Sequence, residues 1–184
     1  MEHLGLNYYA GLMTASDFHG ASHQIPMVFQ VMVERPRRML RCGRIRVRFV
    51  VRKQLDHIPT ENISLTRAPL PIVTSTPEAT AIDLVGYAHR AAGIDNVATI
   101  ITEMGERIDP DLLVKAAATA PVTWAQRLGH VMEYTGHGER AVPLKDYVKS
   151  QAKTVTPLQP GMPLQRIVDD GWKLDINHEL DPDL

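Results

Sequence analysis

The sequence is short of the residue types that carry most recognisable chemistries. One cysteine, Cys42, in 184 residues excludes an internal disulfide framework and fits a reducing compartment. Aromatic residues are 5% of the chain, so stacking platforms for single-stranded bases are poorly supplied. No apolar run approaches the roughly 20 residues needed to span a bilayer, and no leader with a cleavage site opens the chain. The sequence therefore reads as cytoplasmic, unprocessed and without a membrane partner. No phosphate-cradling glycine loop, nucleophile elbow or paired-carboxylate spacing is present, and no catalytic residue or cofactor is predicted. His19 and His23 stand at the i, i+4 interval, but Gly20 interrupts the helix and no glutamate follows His19. The zinc-protease pattern fails, and no metal is predicted.

The most informative shortage is local. Residues 35–53 contain no Asp or Glu but eight Arg and one Lys, leaving 11 basic against 21 acidic residues elsewhere. A formal net charge of -1 thus hides a positive segment on an acidic body. The segment joins two strand-like runs. Residues 28–34 are rich in β-branched and aromatic side chains. In residues 44–52, Ile45, Val47, Phe49 and Val51 alternate with Arg44, Arg46, Arg48, Val50 and Arg52, a strand with one apolar face and one guanidinium face. The connection carries Pro36 and Gly43 among Arg37, Arg38 and Arg41. The expectation is a hairpin over 28–53 whose tip and outer face are both positive.

Elsewhere the apolar spacing predicts mainly helices. Residues 7–19 carry Tyr8, Leu12, Ala15 and Phe18 or His19 on one stripe. A short, irregular or edge strand pair is expected over 62–67 and 70–74. Ser75-Thr76-Pro77-Glu78 marks a helix start, and that helix should run to about residue 92 as the most buried of the fold. Further helices are expected around 97–104, 109–117, 123–136 and 144–150. Residues 154–165 read as a surface linker, and 172–181 as a strand returning to the sheet. The predicted fold class is α/β of the α+β type, in a single domain over residues 1–184. It has one mixed, largely antiparallel sheet that includes the Arg-rich hairpin and a C-terminal strand, packed against a layer of about five helices.

Two constellations could carry function. A row of guanidinium groups some 7 Å apart on one strand face could track a phosphate backbone, since arginine binds phosphate bidentately. Arg37, Arg38, Arg41, Arg44, Arg46, Arg48 and Arg52 are the candidates for an anionic partner. The structural alternative is a cross-strand salt ladder, with Asp175 and Glu179 of the closing strand beside Arg44, Arg46 and Arg48. The second constellation is Asp83, Tyr87 and Arg90, a polar strip on a mostly apolar helix. A carboxylate there must be paired or hydrogen-bonded, and a local ion pair with Arg90 or a cap to a neighbouring loop is favoured over catalysis.

Tyr8-Tyr9-Ala10-Gly11-Leu12-Met13-Thr14-Ala15, His19-Gly20, Gln24-Ile25-Pro26, Ile45-Arg46-Val47-Arg48-Phe49-Val50 and Ser75-Thr76-Pro77-Glu78-Ala79-Thr80-Ala81-Ile82-Asp83, in that order, resemble the AbiEi family. The resemblance covers the family's C-terminal domain, from about residue 5 to about residue 136. It implies an antitoxin of a bacterial type IV toxin-antitoxin system that neutralises a nucleotidyltransferase-like toxin, by way of the toxin itself or its nucleic-acid target. Members of the family usually begin with a winged helix-turn-helix that binds operator DNA, whereas this sequence opens on the second domain. The alternative reading is a nucleic-acid-binding transcriptional regulator module that contacts DNA or RNA through the basic hairpin. A third is an enzyme built on Asp83.

Overall fold

The computed structural model describes residues 7–21, 28–64 and 70–182. Gln24, Ile25, Pro26 and His23 of the sequence patterns lie outside the described residues. The fold is α+β, and the described residues form six helices, a six-stranded mixed sheet and a small second sheet. The first strand, β1 (Tyr8–Ala10), lies where a helix over 7–19 was expected; only α1 (Met13–Phe18) is helical there. Tyr8, Tyr9 and Ala10 pair with Val33, Met32 and Val31 of β2 (Phe29–Val33), and Ala10 pairs with Thr74 of β6 (Ile72–Ser75). A central slot between two strands thus overrides a helical apolar period.

The expected hairpin over 28–53 is corrected. β2 and β4 (Ile45–Val51) run parallel, from Phe29 opposite Val47 to Val33 opposite Val51. The true hairpin is β3 (Leu40–Cys42) with β4. Its two-residue turn begins at Gly43 with φ 58°, a value glycine takes without a Cβ clash. Residues 34–39 carry the chain past β4 to the sheet edge, which leaves β4 between β3 and β2. The full order is β3-β4-β2-β1-β6-β5. β5 (Thr60–Ile63) pairs antiparallel with β6 and forms the opposite edge; it begins two residues before the expected 62–67, of which 65–67 lie outside the described residues.

The helices match the sequence more closely. α2 (Pro77–Gly86), α3 (Ile94–Met104), α4 (Pro110–Ala117), α5 (Val122–Tyr134) and α6 (Val142–Gln151) fall near the predicted spans. α2 stops short of residue 92, and a 3-10 turn, Ala88–Arg90, follows it. α5 begins at Val122 rather than at a cap on Thr123. One contiguous core joins Tyr9, Met32 and Val50 of the sheet to Ile82, Leu84, Ile101, Leu113, Leu128 and Leu144 of the helices. Burying apolar surface on that scale, at about 25 cal/mol per Å2, is the main force holding the layers together.

The C-terminal segment does not return to the main sheet. β9 (Leu174–Asp175) lies between β7 (Thr156–Pro157) and β8 (Val168–Asp169) in the second sheet. Asp175 is buried and accepts from the backbone N–H of Gln165 at 3.0 Å and of Arg166 at 2.8 Å. Asn177 accepts from Gln159 N–H and donates to the Gln159 carbonyl. Residues that read as the polar face of a strand are staples for the exposed loop over 160–168.

Candidate functional site: a row of arginines running from solvent into the core

Alternation along β4 places Arg44, Arg46, Arg48, Val50 and Arg52 on one face. Met32, opposite Val50, and Tyr9, opposite Met32, fix that face as the one against the helices. On the other face Ile45 is 60% exposed while Val31 and Val33, opposite Phe49 and Val51, are buried; the arginines thus share the face that bears the helices, which corrects the expectation of a positive outer face. The row is graded along the strand: Arg44 is exposed, Arg46 and Arg48 are half-buried, and Arg52 is buried. The N-terminal half of β4 and all of β3 thus carry arginines on the helix-side face, beyond the cover that seals Val50.

In that outer part the hairpin register sets Arg41 directly opposite Arg46. Like charges in cross-strand register are destabilising. Among the described residues, none of Arg37, Arg38, Arg41, Arg44, Arg46 and Arg48 has an ion pair or a side-chain hydrogen bond. The salt ladder with Asp175 and Glu179 is not formed, because Asp175 belongs to the second sheet and is spent on backbone N–H groups. Arg37 also lines a cleft of about 330 Å3 with Phe49, Tyr87, His89 and Arg90. The surface around the hairpin is therefore a set of unneutralised guanidinium groups.

Arg52 stands apart from this set. Its Nε donates to Asp83 Oδ1 at 3.0 Å and its Nη2 to the Thr119 carbonyl at 3.1 Å, while its guanidinium lies 5.0 Å from the Trp124 ring centre. Asp83 is 1% exposed, and its Oδ2 accepts from Tyr9 Oη at 2.6 Å. Burial pushes the Asp83 carboxyl up from the ordinary range, and the Arg52 charge and the Tyr9 hydrogen bond oppose that shift. Burial, reinforced by the Asp83 charge, pushes the Tyr9 phenol well above its usual value, so Tyr9 remains a donor. Tyr87, also raised chiefly by burial, donates to the Val51 carbonyl at 2.7 Å and meets Trp124 edge-on.

Of the polar strip on α2, Asp83 and Tyr87 do converge, around Arg52. Arg90 does not join them: it is exposed, and its carbonyl accepts from Gln30 Nε2. The expected Asp83–Arg90 pair is replaced by one that reaches from helix to strand. Among the described residues no group of three or more His, Cys, Asp or Glu is placed to hold a metal ion. His19 is buried, with Nε2 donating to the Ser75 carbonyl at 2.8 Å.

A model of the AbiEi antitoxin C-terminal domain matches residues 9–134. The chain belongs to that family. No curated protein matches the sequence significantly. The fold resembles the crystal structure of the RV2827C protein from Mycobacterium tuberculosis, with a TM-score of 0.63 at 12% identity, over 94% of this chain and 63% of that one. At such identity the likeness is one of fold. Among the described residues no helix is long and apolar enough to cross a membrane.

Within the AbiEi domain, sequence reasoning missed Tyr9, Thr119 and Trp124 as parts of the Arg52 cluster. Asp83 signalled it, as a carboxylate on an apolar helix that required a partner, with Tyr87 on the same strip.

Proposed function

We propose that this AbiEi domain is the antitoxin of a type IV system, acting in the cytoplasm by binding and counteracting a nucleotidyltransferase-like toxin through the basic β3–β4 surface. The observation that carries the reading is the unpaired set Arg37, Arg38, Arg41, Arg44, Arg46 and Arg48, with Arg41 held against Arg46. Such repulsion lowers stability in the free protein and is relieved when carboxylates or phosphates arrive. An edge position for β3 leaves this surface open to a partner. The test is titration calorimetry of this chain against the product of the neighbouring gene. Binding should be at least tenfold weaker for a variant with Arg41, Arg44, Arg46 and Arg48 changed to Ser. Undiminished binding by that variant removes the hairpin from the interface.

The second reading is a nucleic-acid-binding regulator. It is favoured by the spacing of Arg44, Arg46 and Arg48 at alternate strand positions, about 7 Å apart and close to the step of a phosphate backbone. Here duplex DNA or RNA should bind with a slope of log K against log salt of about -0.9 for each phosphate contacted on B-DNA. A toxin complex that forms equally well at high salt, with no binding to nucleic acid, argues for the protein partner.

A further inference from the structure

Arg52 is 5% exposed, yet only part of its guanidinium is used within the fold. Nε and Nη2 are engaged by Asp83 and Thr119. Nη1 has no partner among the described residues and is not among the fully buried unpartnered atoms, and Arg52 lines an open cleft. That cleft, of about 440 Å3, lies between the end of β4, Tyr87 and the junction of α4 and α5. Lys53 and Gln54 line it on one side, and Ala118, Ala120 and Pro121 form an apolar wall. No Asp or Glu is among the lining residues. The side chains of Lys53 and Gln54 make no hydrogen bond or ion pair with the described residues.

From this arrangement we infer that the cleft binds a phosphate group, independently of any toxin contact. Asp83 neutralises the charge of Arg52, and Lys53 makes the lining net positive, which selects an anion. Donors from three consecutive residues, Arg52 Nη1, Lys53 Nζ and Gln54 Nε2, suit a tetrahedral oxyanion with several acceptor oxygens better than a planar carboxylate. Asp83, Thr119 and the Trp124 ring already hold Arg52 in place, so little side-chain entropy is lost when its free Nη1 is engaged. Trp124 is not a stacking platform: Gly86 lies against its ring, and Arg52 and Tyr87 occupy its other contacts. The specificity is therefore for the phosphate, and whatever is esterified to it lies along the Ala118–Pro121 wall.

The experiment follows the indole N–H resonances of Trp124 and Trp172 in the full chain on titration with inorganic phosphate, adenosine 5′-monophosphate and adenosine. The charge of the cleft is reversed in Lys53→Glu and cancelled in Ala118→Glu, both at exposed positions that leave the Arg52–Asp83 pair intact. Phosphate and the monophosphate should shift Trp124 saturably, adenosine should not, and Trp172 should stay fixed. Each variant should weaken binding at least tenfold. Tighter binding of the monophosphate than of phosphate assigns a phosphate ester; equal binding assigns the free anion. No saturable shift, an equal response to adenosine, or binding unchanged in both variants would overturn the inference.

Discussion

Arg52 shows how much of this molecule rests on single polar contacts. Asp83 is buried among apolar side chains of α2, and its charge is tolerated because Arg52 and Tyr9 both reach it. Asp83→Ala leaves Arg52 buried without a counter-charge and should cost about 3–5 kcal/mol, read as a fall in the urea unfolding midpoint. Tyr9→Phe removes one hydrogen bond to the same carboxylate and should cost less, about 1.5–3 kcal/mol. Equal losses in the two variants would contradict the ranking. The need for a partner to Asp83 was legible in the sequence, but its identity was not. Helical spacing offered Arg90, two turns along the same face, whereas the true partner comes from a strand 31 positions away. The same limit hid a packing contact: a Cβ added to Gly129 would run into the buried Trp172 ring. Gly129→Ala should destabilise by about 1–3 kcal/mol through overpacking, and an unchanged melting temperature would show that the ring can move aside.

Among the elements, helices were legible and strand partners were not, because capping and apolar period are local whereas register is not. Asp109 caps α4, accepting from the N–H of Asp111 at 2.9 Å and of Leu112 at 3.0 Å. Thr76 caps α2 through one longer bond from Ala79 N–H, at 3.4 Å, while Ser75 is bonded to Thr80 and does not cap. Asp109→Ala should therefore cost about 1 kcal/mol or more, and Thr76→Ala nearer 0.5 kcal/mol, by thermal unfolding; the reverse order would contradict this assignment of caps. The strands failed for a different reason. Residues 28–34 and 44–52 read as neighbours and are neighbours, but the chain between them crosses to the sheet edge and adds β3, which turns an expected antiparallel pair into a parallel one. Tyr8, Tyr9 and Ala10 have helix-compatible spacing, and only pairing to β2 and β6 makes them a strand.

At the scale of the whole molecule, the division of charge found in the sequence persists in the structure. The arginines of 37–48 cluster around the β3–β4 edge of the sheet, whereas Arg52 is drawn into the core and Lys53 lines the cleft beside it. Their outer face is not the positive one, since Leu40 and Ile45 are exposed on the side opposite the arginines. A partner that engages this edge therefore meets guanidinium groups on one face and an apolar strip on the other, a combination that favours a folded protein over a bare phosphate backbone. In the proposed function these arginines act on a toxin rather than on the fold. The most direct test is growth rescue: the product of the neighbouring gene is expressed with the native chain, or with the variant carrying Ser at positions 41, 44, 46 and 48, after circular dichroism has shown that the variant is folded. The native chain should rescue growth and the variant should not. Equal rescue by both would contradict that role for the arginines.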